Sequence, residues 1–288
     1  MDYTLENQSI RLVVSSKGAE IQSLQSRANG TEYIWQANAK YWGQKSPVLF
    51  PVIARQKNGF YHWGGKRYEM PMHGFAQQGE FELGGQGPGW AEFVLRESES
   101  TLPLYPFHFR LLVGFRLVGK GVTVEYRVAN RSALVMPYAI GGHTGYNVPL
   151  QKGEKYSDYA FFFEEEETAP RYPLVNGLLQ APVAFLKGQK QLALSETLFN
   201  NGALIFKKLR SPKVALRSRL TGRGIAVECR DFEYLGLWAA PGAPFVCVEP
   251  WNGLPSGAAD GQALEEKEGI HLLQPGQAQA CRHTISIE

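Results

Sequence analysis

The sequence predicts an all-β protein, a large antiparallel β-sandwich with few short helices. Apolar and polar residues alternate with a period of two in many short segments, turn residues separate those segments, and helical periodicity is scarce. In chain order, the first alternation is Ile10 to Val14. Asn38 to Trp42 is one of two short helical candidates, and the apolar run Val48 to Ala54 is read as a strand closed by Arg55. Phe109 to Leu117 and Val122 to Val128 alternate on either side of Gly119-Lys120-Gly121, the pattern of an antiparallel hairpin. Ser195 to Asn200 is the second helical candidate. Strands follow at Val214 to Ser218, Ile225 to Cys229, Phe245 to Glu249 and Cys281 to Ile287, with Pro250 expected to stop the Phe245 strand. Turns are expected at Ala28-Asn29-Gly30, Lys57-Asn58-Gly59, Gly64-Gly65, Gly84 to Gly89 and Pro241-Gly242.

Composition narrows the function. With 44% hydrophobic and 20% charged residues in 288, the chain can bury a large core and is not of the disordered type. A net charge of +3, with Lys and Arg scattered, predicts no nucleic-acid partner. The three cysteines, Cys229, Cys247 and Cys281, are widely spaced and spell neither a disulfide framework nor a zinc ribbon. The start, Met1 to Glu6, has no signal-peptide pattern, and Val48 to Ala54 is too short to span a bilayer. A cytoplasmic protein without membrane contact, a monomer or homodimer, is expected. No linker or composition shift divides residues 1–288, which are read as one domain.

The motif search excludes several chemistries. The glycines from Gly84 to Gly89 do not form a dinucleotide fingerprint, and no phosphate loop, nucleophile elbow or H-E-x-x-H pair occurs. The run Glu164 to Glu167 is read as a solvated acidic segment.

Four residues stand out as candidates for chemistry. Glu249 shares a strand face with Phe245 and Cys247, so its carboxylate is expected at the edge of an apolar layer, where desolvation favours the protonated form. A strand-end carboxylate bonded to an arginine is the plainer alternative. His143 is framed by Gly141, Gly142 and Gly145, which leave its imidazole unobstructed, and a hydrogen-bonded loop histidine is equally consistent. His73 follows a proline and precedes Gly74, and Arg55 closes an apolar run where a charge must meet solvent or a ligand. His73, His143 and Glu249 could converge on a metal, but nothing in their spacing demands it, so no metal is predicted. An exposed ring among Trp35, Trp42, Trp63, Trp238 and Trp251 would stack on a sugar face, although most must be core.

These residues fall in a longer ordered set. Gly18 to Leu24, Glu32 to Gln36, Lys40 to Gly43, Pro47 to Val52, Met72 to Ala76, Pro106 to Phe109, Ile140 to His143, Ala203 to Phe206, Tyr234 to Trp238, Cys247 to Gly253 and Leu264 to Gly269 together resemble the aldose 1-epimerase (galactose mutarotase-like) superfamily. The resemblance covers essentially the whole chain and is strongest to the LacX-like bacterial branch.

What the resemblance implies is a supersandwich with a sugar cleft on one face and a cofactor-independent isomerase that exchanges the α and β anomers of a hexose or modified hexose. Glu249 then looks like the base at the anomeric hydroxyl, His143 like the acid at the ring oxygen, and His73 like a second histidine there. Arg55, Trp251 and Asn147 look like substrate-binding residues. Glu249 and His143 are expected to face each other across a sugar-sized hollow. Thr144-Gly145 replaces a Pro-Ala pair of that branch, and Gly202 stands where an aspartate is expected. Two alternatives stay open: a sugar-binding or sensing protein without turnover, and a hexose-phosphate mutarotase, which would need several cations around the cleft where only Arg55 is nominated.

Overall fold

The period-two segments assemble into two large antiparallel sheets in a computed structural model, which describes residues 1–288. The larger sheet has nine strands, in the order Gln189–Ala193, Tyr159–Glu167, Lys213–Ser218, Gly224–Glu228, Ala278–Ile287, Gly121–Asn130, Phe109–Val118, Trp90–Arg96 and Glu82–Gly87. Its central hairpin pairs Val118 with Gly121, so only Gly119 and Lys120 turn the chain, and Gly119 supplies a φ of 56°. The smaller sheet runs Leu204–Lys207, Tyr234–Trp238, Phe245–Asn252, Ile140–Gly142 and Val48–Leu49, with Thr144–Asn147 also paired to Phe245–Asn252. A third sheet, Asp2–Glu6, Ile10–Ser15 and Glu20–Ser26, opens the chain.

The main core lies between the two large sheets. Its hydrophobic cluster takes Val113, Tyr126, Phe161, Val227 and Ile285 from the nine-stranded sheet and Val246 and Val248 from the smaller one. Strand pleating then sends Phe245, Cys247, Glu249 and Trp251 to the opposite, outer face of the smaller sheet. There they join two smaller apolar clusters, one around Trp35 and Phe245 and one around Trp251, Ile53 and Leu49. The outer face is thus an apolar layer with one acid in it.

The structure corrects five sequence expectations. Asn38 to Trp42 closes a single turn, through Tyr41 and Trp42 amides donating to the Asn38 carbonyl, and Ser195 to Asn200 is a series of turns. The only helices are three-residue 3-10 turns, such as Lys57–Gly59 and Leu264–Glu266. The run from Val48 forms a strand only over Val48–Leu49, with one isolated bridge from Phe50 to Gly74, and Arg55 therefore lies on a loop rather than at a strand end. Pro250 does not stop its strand, which continues to Asn252, because its missing N–H falls beside a gap in pairing between Gly141–Trp251 and Thr144–Val248. Gly84, Gly85 and Gly87 lie inside a bulged strand, leaving Pro88-Gly89 as the turn. Lastly, the acidic run is solvated only in part: Glu167 is buried and accepts the Ser211 amide at 2.6 Å and the Arg210 amide at 3.2 Å.

Candidate active site

The sheet register makes the site. Ile140 and Gly141 pair with Asn252 and Trp251, and Thr144 and Gly145 pair with Val248 and Cys247. Both segments keep one register, which sets His143 directly across from Glu249, where opposed side chains meet. On the other flank Glu249 is paired with Gly236. A Cβ at Gly236 would stand 3.3 Å from the Glu249 Cβ and 2.8 Å from the Trp251 ring, so only glycine leaves room for both.

Glu249 and His143 meet across this pairing, with Oε2 and Nε2 3.3 Å apart. Both are buried. Burial pushes the Glu249 carboxyl well above the usual carboxylate range and holds the His143 imidazole well below its own, with the neighbouring His73 adding to the latter. The pair therefore shares one proton at neutral pH. The expected sugar-sized hollow between them is absent: the two groups touch. His143 Nδ1 has no hydrogen-bond partner, and the His143 amide donates to the Pro47 carbonyl at 3.1 Å.

His73 completes the cluster, its ring 5.5 Å from that of His143 in an edge-on arrangement. It is held from both ends by one residue: the Ala54 amide donates to His73 Nδ1 at 3.0 Å, and the His73 amide donates to the Ala54 carbonyl at 2.8 Å. With Nδ1 accepting, the ring proton sits on Nε2. Burial, with a smaller effect from the Lys267 charge, lowers His73 to about 4. His73 adopts φ 65°, and Gly74 follows with φ 73° and the Phe50 carbonyl oxygen 2.1 Å from where a Cβ would stand.

Aromatic rings wall the pair. Trp42 stacks on His143 with centroids 4.8 Å apart, and Trp238 meets His143 edge-on at 5.6 Å. Trp35 anchors this wall by donating its indole N–H to the Trp42 carbonyl and stacking on Phe245. The sequence reading gave Gly145 to ligand approach, but its vacant side is taken by protein: a Cβ would lie 3.0 Å from Trp42 and 3.1 Å from Trp35. Thr144 is likewise internal, its hydroxyl 2.7 Å from that of Ser46. Gly202 is a turn residue at φ 81° with open space around its Cα.

The structure thus brings Glu249, His143 and His73 together. Arg55 follows the Ala54 clamp and is exposed. Trp251 shares the face of Glu249 but is 3% exposed, packed against Leu49, Ile53 and Leu254, and offers no open ring face. Asn147 lies opposite Phe245, four residues before Glu249, and its amide donates to the Glu32 and Ile34 carbonyls. Sequence reasoning named Trp42 and Trp238 only within a group of five tryptophans, and it gave no site role to Cys247 or Lys267. Alternation does place Cys247 beside Glu249, whereas Trp42 and Lys267 lie on turns where no periodicity speaks. Side-chain donors of His143, Cys247 and Glu249 lie within 4.8 Å of one another, a set that could hold a soft divalent ion; it has Cys247 in the place that the sequence gave to His73.

A two-sheet antiparallel sandwich carrying a buried imidazole–carboxylate pair under tryptophans defines the class: a β-sandwich protein with an acid–base site on the outer face of its smaller sheet. Within that class the chain belongs to the aldose 1-epimerase family, which it matches over residues 1–278. It is 33% identical to the plasmid-encoded protein LacX of Lactococcus lactis subsp. lactis over 300 residues, covering 100% of this chain and 99% of that one. The galactose mutarotase related enzyme of Lactobacillus acidophilus superposes with a TM-score of 0.96 at 35% identity, covering 100% of this chain and 97% of that one. A galactose mutarotase-like protein of Lactobacillus casei gives a TM-score of 0.90 at 29% identity, with 100% of both chains covered. No helix is long and apolar enough to cross a membrane.

Proposed function

We propose that the protein exchanges the α and β anomers of a hexose or modified hexose by acid–base ring opening. The observation that carries this is the 3.3 Å contact between Glu249 and His143. A hemiacetal presents the anomeric hydroxyl and the ring oxygen on one carbon, so the base and acid serving them must be adjacent. Two groups separated by the width of a sugar would not reach both oxygens.

In the productive form the shared proton rests on His143 and Glu249 is a carboxylate. Glu249 removes the anomeric hydroxyl proton while His143 protonates the ring oxygen, and the C1–ring oxygen bond breaks to give the open-chain aldehyde. Rotation about C1–C2 and return of both protons close the other anomer. Net proton count is unchanged, and no cofactor is called for. His73 offers its Nε2–H as a second donor at the ring oxygen, and Arg55 donates to sugar hydroxyls at the rim. Trp42 and Trp238 supply apolar surface for the C–H face of the ring.

The test is saturation-transfer NMR on an aldose panel with wild type and Glu249→Gln. Wild type accelerates anomer exchange over the spontaneous rate, and the variant loses about 10²–10⁴ of that acceleration while its circular dichroism is unchanged. Saturable sugar binding without accelerated exchange would overturn the catalytic reading and leave a sugar-binding protein.

A further inference from the structure

Three donors of different chemistry converge on the outer face of the smaller sheet. Cys247 and Glu249 stand two residues apart on one strand and so share its face, and His143 lies beside Glu249 on the neighbouring segment. The Cys247 sulfur, a His143 ring nitrogen and a Glu249 carboxylate oxygen all lie within 4.8 Å of one another. All three residues are buried. Cys247 is a free thiol, and the Glu249 carboxylate has a single polar partner, His143 Nε2 at 3.3 Å. A buried carboxylate can accept several hydrogen bonds, so one with a single partner points to a ligand.

The spacing suits a tetrahedral ion. With metal–nitrogen and metal–oxygen bonds of about 2.1 Å, tetrahedral ligands stand about 3.4 Å apart, and a thiolate sulfur stands about 3.6 Å from either. His143 and Glu249 are already 3.3 Å apart. Cys247 has to close by no more than about 1.2 Å, which side-chain torsions supply on an unmoved sheet. A thiolate, an imidazole and a carboxylate select zinc-like ions over magnesium or calcium, which take more ligands and prefer oxygen. Charge fits as well. Zn²⁺ would displace the proton shared by Glu249 and His143 and the thiol proton of Cys247. One carboxylate and one thiolate then cancel its two charges, and the buried site stays neutral. Trp42, stacked on His143, and Trp238, edge-on to it, form an apolar wall around the set. His73 keeps its Nδ1 on the Ala54 amide and adds no donor to it.

We propose that His143, Cys247 and Glu249 form a zinc-binding site that silences the acid–base pair, with water as the fourth ligand. The binding is independent of the function proposed above, and only the loss of turnover rests on it. The ion takes the imidazole nitrogen and the carboxylate oxygen that ring opening needs, so metal binding and sugar chemistry exclude each other at this face. Cys247 separates the two roles, because ring opening asks nothing of its sulfur and the ion does. Turnover thereby answers to the concentration of free zinc.

The experiment adds Co²⁺ and then Zn²⁺ to the chelator-treated full chain, as wild type, Cys247→Ala and Cys247→Ser. Absorption spectra and anomer exchange by NMR are read on the same samples. Wild type should bind Co²⁺ with the intense visible bands of a tetrahedral ion and a thiolate-to-cobalt band in the near ultraviolet, both bleached by Zn²⁺. Stoichiometric Zn²⁺ should lower exchange about tenfold or more, and EDTA should restore it. Both variants should lose the thiolate band, bind Zn²⁺ about a hundredfold more weakly and keep exchange in its presence. Surface histidines cannot imitate the result, since the band needs a thiol and Cys229 and Cys281 belong to no such cluster. The wild-type spectrum needs no variant, so a variant that fails to fold leaves the proposal testable. A wild type without the thiolate band, or Zn²⁺ inhibition equal in wild type and Cys247→Ala, would overturn the site and keep the mutarotase reading. A Cys247-dependent band in a metal-free wild type that accelerates no exchange would do the reverse.

Discussion

The Ala54 backbone grips His73 twice, its amide donating to Nδ1 at 3.0 Å and its carbonyl accepting the His73 amide at 2.8 Å. The ring is thereby fixed in orientation and tautomer. His73→Ala strands the Ala54 amide and should lose about 1–3 kcal/mol of stability in urea unfolding. His73→Asn can accept the same amide through Oδ1 and tolerates the φ of 65°, so its stability should stay within about 0.5 kcal/mol of wild type. Both variants should lose anomer-exchange rate, since neither retains the Nε2–H. An Asn variant with full activity would remove His73 from the chemistry.

Glu249 is a carboxylate site that the fold disfavours. Because burial raises its pKa in the folded state, its stabilising contribution is present below the unfolded carboxylate value, about 4.3, and is lost as pH rises through the folded value. Glu249→Gln should therefore be more stable than wild type at pH 7, by about 1–3 kcal/mol, with the gap closing toward pH ~4. Thermal denaturation followed across that range checks the sign.

Activity should follow a bell in pH whose limbs belong to the Glu249–His143 pair. The pair takes a second proton below the ordinary imidazole value of about 6.5, since His143 is lowered, and loses its only proton above the ordinary carboxylate range, since Glu249 is raised. His73→Asn removes one of the effects that lower His143, so it should move the acid limb toward higher pH and leave the basic limb in place. An acid limb lying above pH ~6.5 after subtraction of spontaneous exchange would contradict the shared-proton pair.

Trp42 lies on the face of His143, and Trp42→Ala removes both a wall of the site and a stacking partner. The loss is expected mainly in KM, about three- to tenfold, corresponding to about 1 kcal/mol for one aromatic contact. Steady-state kinetics on the preferred sugar would show it.

Gly74→Ala should be far more damaging than its distance from the reacting groups suggests. The φ of 73° strains any side chain, and the new methyl would overlap the Phe50 carbonyl. A loss of about 3 kcal/mol or more is expected, measured as a drop in the urea midpoint.

Much of the sandwich was legible because strands announce themselves locally. Phe109 to Val128 alternates around a glycine turn, and the structure pairs those residues as one hairpin. The Phe245 strand was legible for the same reason, and alternation put Glu249 on the face of Cys247. The pairing partner was not. Nothing in the residues near Glu249 says that the segment around His143 lies beside it in register, and only resemblance joined the two. The run from Val48 misled because its hydrophobicity reflects burial in the core rather than a ladder, and Pro250 misled because the gap opposite it was invisible. Trp42 and Lys267 lie on turns, whose side-chain directions depend on distant packing.

Because Glu249 sits in mid-strand, with Gly236 paired on one flank and the His143 segments on the other, the base has no hinge of its own. Its amide neighbours should rank among the slowest to exchange hydrogen for deuterium, opening only when the sandwich itself melts. Heat would then extinguish turnover in the same cooperative step that dissolves the sheets, with no window in which an intact fold carries a disarmed centre.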